Sequence, residues 1–171
     1  MENSMEIERK YLIKELPKDL NTYPFHLIEQ AYLNTAPVIR IRKQDEAYYM
    51  TYKGKGLLAR EEYNLPLNET AYLHLLPKHD GNVISKKRYL IPITHPRFQE
   101  SFCAPEGLTL TIELDEFYSP LQLFLAEVEF PSVEMANAFL PPEWFGEDVT
   151  NDTRYHNSTM STCDYSKSFT K

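Results

Sequence analysis

The sequence predicts an α+β fold that is mainly β: an eight-stranded antiparallel β-barrel with a few helices packed outside it. Three observations lead there. Segments rich in Ile, Val, Tyr and Phe alternate with period two, the pattern of a strand with two unlike faces. In most of these segments charges recur at i and i+2, so they share one face. Acids sit mainly with acids and bases with bases, whereas a solvated face would mix Ser, Thr, Gln and Lys at random.

Each element follows in chain order. A first strand over residues 5–13 puts Glu6, Glu8 and Lys10 on one face and Met5, Ile7, Tyr11 and Ile13 on the other. Residues 16–20 read as a short helical turn or loop, and 25–33 as a second strand. Pro37 interrupts before residues 38–42, which align Arg40 with Arg42. A turn at Gln44-Asp45-Glu46 leads back into 49–53, where Lys53 shares a face with Thr51 and Tyr49. Gly54-Lys55-Gly56 marks a turn, and 60–65 then aligns Arg60, Glu62 and Asn64.

Asn68 is a candidate N-cap for a helix whose apolar side is Ala71, Tyr72, Leu75 and Leu76, with Pro77 ending it. His74 and His79 on or after this helix lack metal-ligand spacing and read as surface residues. Asp80-Gly81-Asn82 is a turn before 85–90, which aligns Lys86 with Arg88. Prolines and a glycine make 92–108 an irregular connection. Strands over 111–115 and 126–130 align Glu113 with Asp115 and Glu127 with Glu129. Ser132 caps a helix predicted over 132–140, with Glu134 in its first turn and Pro141-Pro142 as its stop. Trp144-Phe145-Gly146 reads as an aromatic plug against a barrel or helix. Residues 1–157 are expected to form one domain, and 158–171 a polar tail or short helix.

Bulk properties bound the function. The chain has 171 residues, 42% of them hydrophobic and 13% aromatic, enough for a sizeable core. A net charge of −7 argues against non-specific nucleic-acid binding but leaves room for a local basic cavity. Cys103 and Cys163 form neither a disulfide framework nor a metal-ligand pattern, and suit reduced thiols. No apolar run is long enough to span a bilayer. The expectation is a soluble, cytoplasmic protein with no membrane or nucleic-acid partner, monomeric or homodimeric.

If the strands close into a barrel with the charged rows inside, the apolar faces can pack against the helices and connections. Buried charges must then pair or bind something. A salt-bridge lattice is one outcome. The other is a polyanion site: Lys10, Arg40, Arg42, Lys53, Arg60, Lys86 and Arg88 would hold phosphate oxygens. Glu6, Glu8, Glu62, Glu113, Asp115, Glu127 and Glu129 offer the oxygen ligands that suit Mg²⁺ or Mn²⁺.

Glu6-Ile7-Glu8-Arg9-Lys10 resembles the E-x-E-x-K signature of the CYTH family, the triphosphate tunnel metalloenzymes. The resemblance continues in order through Arg40-x-Arg42, Lys53, Arg60-x-Glu62, Lys86-x-Arg88, Glu113-x-Asp115 and Glu127-x-Glu129. The stretch 144–150 followed by Arg154-Tyr155 is similar to the ending of short bacterial members that hydrolyse inorganic triphosphate. The resemblance implies a metal-dependent triphosphatase releasing pyrophosphate and phosphate. It also implies metal ligation by Glu6, Glu8 and Glu129, substrate contacts that include Arg154, and catalytic parts for Tyr32 and Lys86. Related activities on organic triphosphates follow as alternatives: a nucleoside or thiamine triphosphatase, or a class IV adenylate cyclase. A polyphosphate-binding module without catalysis is another. One departure stands out: Asn64 takes a position where many members carry a carboxylate, which would weaken a second metal. The tail shows no obvious basic helix to close the tunnel, although Lys167 and Lys171 are available.

Overall fold

The computed structural model describes residues 4–56 and 58–165. Eleven strands appear in chain order: β1 (Ser4–Ile13), β2 (Phe25–Thr35), β3 (Val38–Gln44), β4 (Ala47–Lys53), β5 (Ala59–Leu67), β6 (Asp80–Ile93), β7 (Arg97–Phe98), β8 (Leu110–Ser119), β9 (Leu123–Glu129), β10 (Phe139–Leu140) and β11 (Phe145–Asp148). Three α-helices join them: α1 (Glu69–Leu75), α2 (Val133–Ala138) and α3 (Asn157–Thr162).

Eight of the strands close into an antiparallel barrel in the order β1-β5-β4-β3-β2-β6-β8-β9, with β9 returning to β1. The first strand makes the closure. Its beginning pairs with β5, through Glu6 opposite Arg60. Its later half pairs with β9, through Glu8 opposite Glu129 and Lys10 opposite Glu127. Beyond the reach of β5, β11 takes over that edge of β1. A closed barrel leaves no long unpaired edge.

Strand alternation sends the charged rows inward, as the sequence pattern predicts. The outward residues Ile7, Tyr11, Tyr89, Ile91, Ile112, Leu114, Ala126 and Val128 build the main core with Met135 and Ala136 of α2 and with Phe139 and Phe145. A smaller core sets Tyr72 of α1 against Ala31 and Ile41. The predicted caps form: Asn68 accepts the Ala71 N–H at 2.8 Å, and Ser132 accepts the Met135 N–H at 3.1 Å.

Some elements differ from expectation. The helix predicted over 132–140 stops at Ala138, because Phe139 and Leu140 pair as a strand with Phe98 and Arg97. That pairing also orders part of the connection expected to be irregular. The aromatic pair Trp144 and Phe145 does pack against the barrel, on its outside: Phe145 pairs opposite Ile13, and the two rings pack edge to face at 4.6 Å in the outer core.

The barrel is filled at one end. Met160 of α3 packs among Tyr32, Val38, Ile84, Phe117 and Leu125, at the end where β1, β2 and β8 finish. The closing helix is uncharged and seats itself by an apolar side chain. Asn82 anchors it by donating to the Met160 and Cys163 carbonyls at 3.1 and 2.8 Å. Gly81, at φ 69°, makes the close approach possible, since a Cβ there would lie 2.0 Å from the Ser161 carbonyl oxygen. Lys167 and Lys171 lie outside the described residues. No helix among the described residues is long and apolar enough to cross a membrane.

Candidate active site

Between the α3 plug and the opposite mouth lies a cavity of about 320 Å³. Its lining includes Glu6, Glu8, Lys10, Tyr32, Arg40, Arg42, Lys53, Arg60, Glu62, Arg88, Glu113, Glu127 and Glu129. The structure therefore gathers the site residues expected from the sequence around one space, except Lys86, Asp115 and Arg154. Lys86 and Asp115 sit behind the lining, both fully buried and ion-paired. Arg154 is 79% exposed in its side chain and turns to Asp152, two residues earlier.

The β6–β8–β9 side of the barrel is a neutralised lattice. Arg88 donates from Nε to Asp115 at 2.6 Å and from Nη2 to Glu127 at 2.6 Å, and its Nη1 meets Glu113. Lys86 pairs with Asp115 and lies over the Phe117 ring. Lys10 reaches Glu127 at 2.8 Å. Burial would discharge Arg88, but Asp115, Glu113 and Glu127 hold its pKa well up. Burial would likewise raise Glu127, but Lys10 and Arg88 hold it far below the usual carboxylate range. Lys86 is the exception: burial and the neighbouring Arg88 outweigh Asp115 and bring it down to about 8.

The β3–β4 side is different. Arg40 donates to the Thr51 hydroxyl at 2.9 Å. Arg42 donates to Gln30 Oε1 at 2.9 Å and to the Tyr49 hydroxyl at 3.1 Å. Both guanidiniums are buried, and every one of these partners is neutral. Arg40 Nε and Gln30 Nε2 are buried with no hydrogen-bond partner among the described residues. Burial, then the Arg40 charge, pushes the Arg42 pKa down. Such an arrangement is stable only where something else supplies negative charge.

A carboxylate cluster faces these bases. Lys53 Nζ lies 2.7 Å from both Glu6 and Glu62, and Arg60 lies 3.1 Å from Glu6 and 3.8 Å from Glu8. Four acids, Glu6, Glu8, Glu62 and Glu129, thus share two cations, Lys53 and Arg60. The surplus shows in the titration. Burial and then Glu8 raise Glu6 to about 7. Burial, Glu113, Glu62 and Glu8 raise Glu129. Burial would raise Glu62 too, but Lys53 keeps it low.

As the side chains stand, no three His, Cys, Asp or Glu among the described residues converge closely enough to hold a metal ion. Lys53 and Arg60 stand between the carboxylates. The donor set nevertheless fits a hard divalent cation: all-oxygen ligands carrying surplus negative charge, two of them with pKa raised by burial and by neighbouring carboxylates. Asn64 has a role of its own. Its Oδ1 accepts from Thr51 at 2.7 Å and its Nδ2 donates to Glu62 at 2.8 Å. A carboxylate could not do both, so Asn64 links the Arg40 wall to the acid cluster, and its carbonyl is already engaged.

Several lining residues escaped the sequence reading: His26, Gln44, Tyr49, His156, Asn157 and Ser158. His26 shares strand parity with Gln30 and Tyr32, and that parity was the available signal. His156 and its neighbours reach the cavity only because α3 folds back onto the barrel. The His156 Nε2 lies 3.1 Å from the Thr150 carbonyl, which places the ring proton there. Burial, with Lys10 and Arg60 nearby, lowers its pKa and keeps the ring neutral at pH 7.

Comparison with known proteins agrees with this geometry. The CYTH domain profile matches residues 4–154. An inorganic triphosphatase of Nitrosomonas europaea is 38% identical over 161 residues, covering 91% of this chain and 96% of its own. An inorganic triphosphatase of Acetivibrio thermocellus is 32% identical over 170 residues, covering 91% and 92%. Among solved structures, an inorganic triphosphatase superposes with a TM-score of 0.61 at 34% identity, over 93% of this chain and 95% of that one. A matched profile spanning most of the barrel, and relatives aligned along nearly their whole length, lead to one conclusion: the chain belongs to the CYTH domain family.

Proposed function

We propose that this protein is a metal-dependent inorganic triphosphatase that hydrolyses triphosphate to pyrophosphate and phosphate inside the barrel. The observation that carries the reading is the pair Arg40 and Arg42: buried, paired only with neutral groups, and facing a surplus of carboxylates across one cavity. A guanidinium fork matches phosphate oxygens, and a chain of phosphates can meet Lys10, Lys53, Arg40 and Arg42 together. The names of the two curated relatives point to the same substrate.

Glu6, Glu8 and Glu129, with Glu62 beside them, would hold Mg²⁺ or Mn²⁺. Such a cation, when bound, supplies charge neutralisation at the phosphate oxygens and orientation of water. Glu113, Asp115 and Glu127, committed to Arg88, Lys86 and Lys10, set where those bases stand. Lys86 is then a positioning residue acting through Asp115 and Arg88. In the reaction a water oxygen bonds to the terminal phosphorus. The bond from that phosphorus to the bridging oxygen breaks, and pyrophosphate leaves with the electron pair. The water's proton ends on a released phosphate oxygen, with the Tyr32 hydroxyl, buried and opposite Arg40 in register, as the relay that accepts it while giving up its own.

Phosphate release from triphosphate, ATP and thiamine triphosphate, with and without Mg²⁺ or Mn²⁺, tests the reading. Triphosphate should be the fastest and should require metal, and Glu6→Gln or Glu8→Gln should abolish turnover while the fold persists. Faster turnover of ATP, formation of cyclic AMP, or binding without turnover would each replace it.

A further inference from the structure

Resting on that reading, we infer that His26, held by Asp45, is a pH-dependent phosphate subsite at the cavity mouth that takes the outermost phosphate of the chain. His26 lines the cavity at the end opposite α3. On β2 it stands six residues before Tyr32, roughly 20 Å along the strand at about 3.4 Å per residue. Tyr32 packs against the plug; His26 is therefore the outward end of the same row.

The ring is held by a carboxylate that does not depend on it. Asp45 sits in the β3–β4 turn at φ 52°. Its backbone N–H donates to the Leu27 carbonyl at 2.9 Å, and its Oδ1 accepts the Leu27 N–H at 2.9 Å. The remaining oxygen, Oδ2, lies 2.6 Å from His26 Nδ1. A carboxylate at Nδ1 makes that nitrogen the donor in both protonation states. Nε2 alone therefore changes character. In the imidazolium it is a charged donor to a phosphate oxygen; in the neutral ring it is a bare acceptor that repels one. Titration thus reverses the sign of the contact.

Partners already hold most of the groups that face His26. Asp45 comes from the turn. Arg88 lies opposite in register on β6, with Glu113, Asp115 and Glu127 fixed to its guanidinium. Gln44 and Tyr49 line the same cavity and hydrogen-bond each other at 3.0 Å. Lys87 and Tyr89 alternate to the outer face, where the ammonium lies over the Tyr89 ring. His156 is kept neutral by burial; Glu6, raised to about 7, and Lys86, lowered to about 8, change charge in the same range and are common to wild type and His26→Gln.

Calorimetric titration with inorganic triphosphate in metal-free buffer tests this without turnover. Wild type should lose about tenfold more affinity than His26→Gln between about pH 5.5 and about pH 8.5, the worth of one charge-assisted hydrogen bond. His26→Lys should keep the affinity at the higher pH. An unchanged pH dependence in His26→Gln would overturn the subsite. Wild type that fails to bind triphosphate at any pH would overturn the triphosphatase reading as well. Binding that Arg42→Ala removes and His26→Gln leaves intact would overturn the subsite alone.

Discussion

Two walls of one barrel bury positive charge in opposite ways. On β6, Arg88 and Lys86, joined by Lys10 of β1, are matched by Asp115, Glu113 and Glu127, three bases to three acids. On β3, Arg40 and Arg42 are as deeply buried, yet they meet only Thr51, Gln30 and Tyr49. Both walls carry the same sequence sign, a base at i and i+2. The difference lies across the strands: β8 and β9 offer carboxylates in register with β6, whereas β2 and β4 offer amides and hydroxyls to β3. One wall completes its electrostatics within the chain and serves as scaffold. The other leaves them incomplete and is completed by an anion.

The largest effect should come from breaking the scaffold wall. Asp115→Ala strands Lys86 in the interior and takes one of three carboxylates from Arg88, so the empty protein should lose about 3–5 kcal/mol, read from urea unfolding. A loss below about 1 kcal/mol would mean that the lattice does not hold the wall. A smaller effect belongs to the acid cluster. Glu6 ionises at about 7 in the fold against an ordinary 4.5, so the native state holds its proton more tightly than the unfolded chain. Its contribution is favourable below about pH 4.5 and is lost as pH rises through about 7. The stability of Glu6→Gln relative to wild type should therefore grow between these limits, by roughly 3 kcal/mol. A flat difference would place the surplus charge elsewhere. The smallest effect should be at Arg154: exposed and paired only with Asp152, its alanine variant should keep stability within about 0.5 kcal/mol and KM for triphosphate within about twofold.

Much of this was legible in the sequence because a strand's period is two. Glu6, Glu8 and Lys10 announce a charged face, and seven such strands with apolar backs have few ways to fold other than a barrel. Depth was not legible: alternation turns Lys86 and Arg88 inward alike, and only the position of Asp115 decides which of them meets the cavity. Local capture was not legible either, since Arg154 matches a family ending yet is held by a carboxylate two residues away. The α3 residues His156, Asn157 and Ser158 carry no alternation that could place them; a long-range fold-back does. Asn64 reads as a missing ligand until its two hydrogen bonds are seen.

The measurement that bears most directly on the two-wall account is the melting temperature of wild type and Arg42→Ala, each with and without triphosphate in metal-free buffer. The account expects the empty variant to melt within a few degrees of wild type, because no carboxylate is abandoned when Arg42 goes. It expects triphosphate at about one hundred times its Kd to raise the wild-type midpoint by roughly 5–10 °C, and the same concentration to shift Arg42→Ala far less. A strongly destabilised empty variant, together with no shift in wild type, would mean that Arg42 is scaffold like Arg88 and would contradict the account.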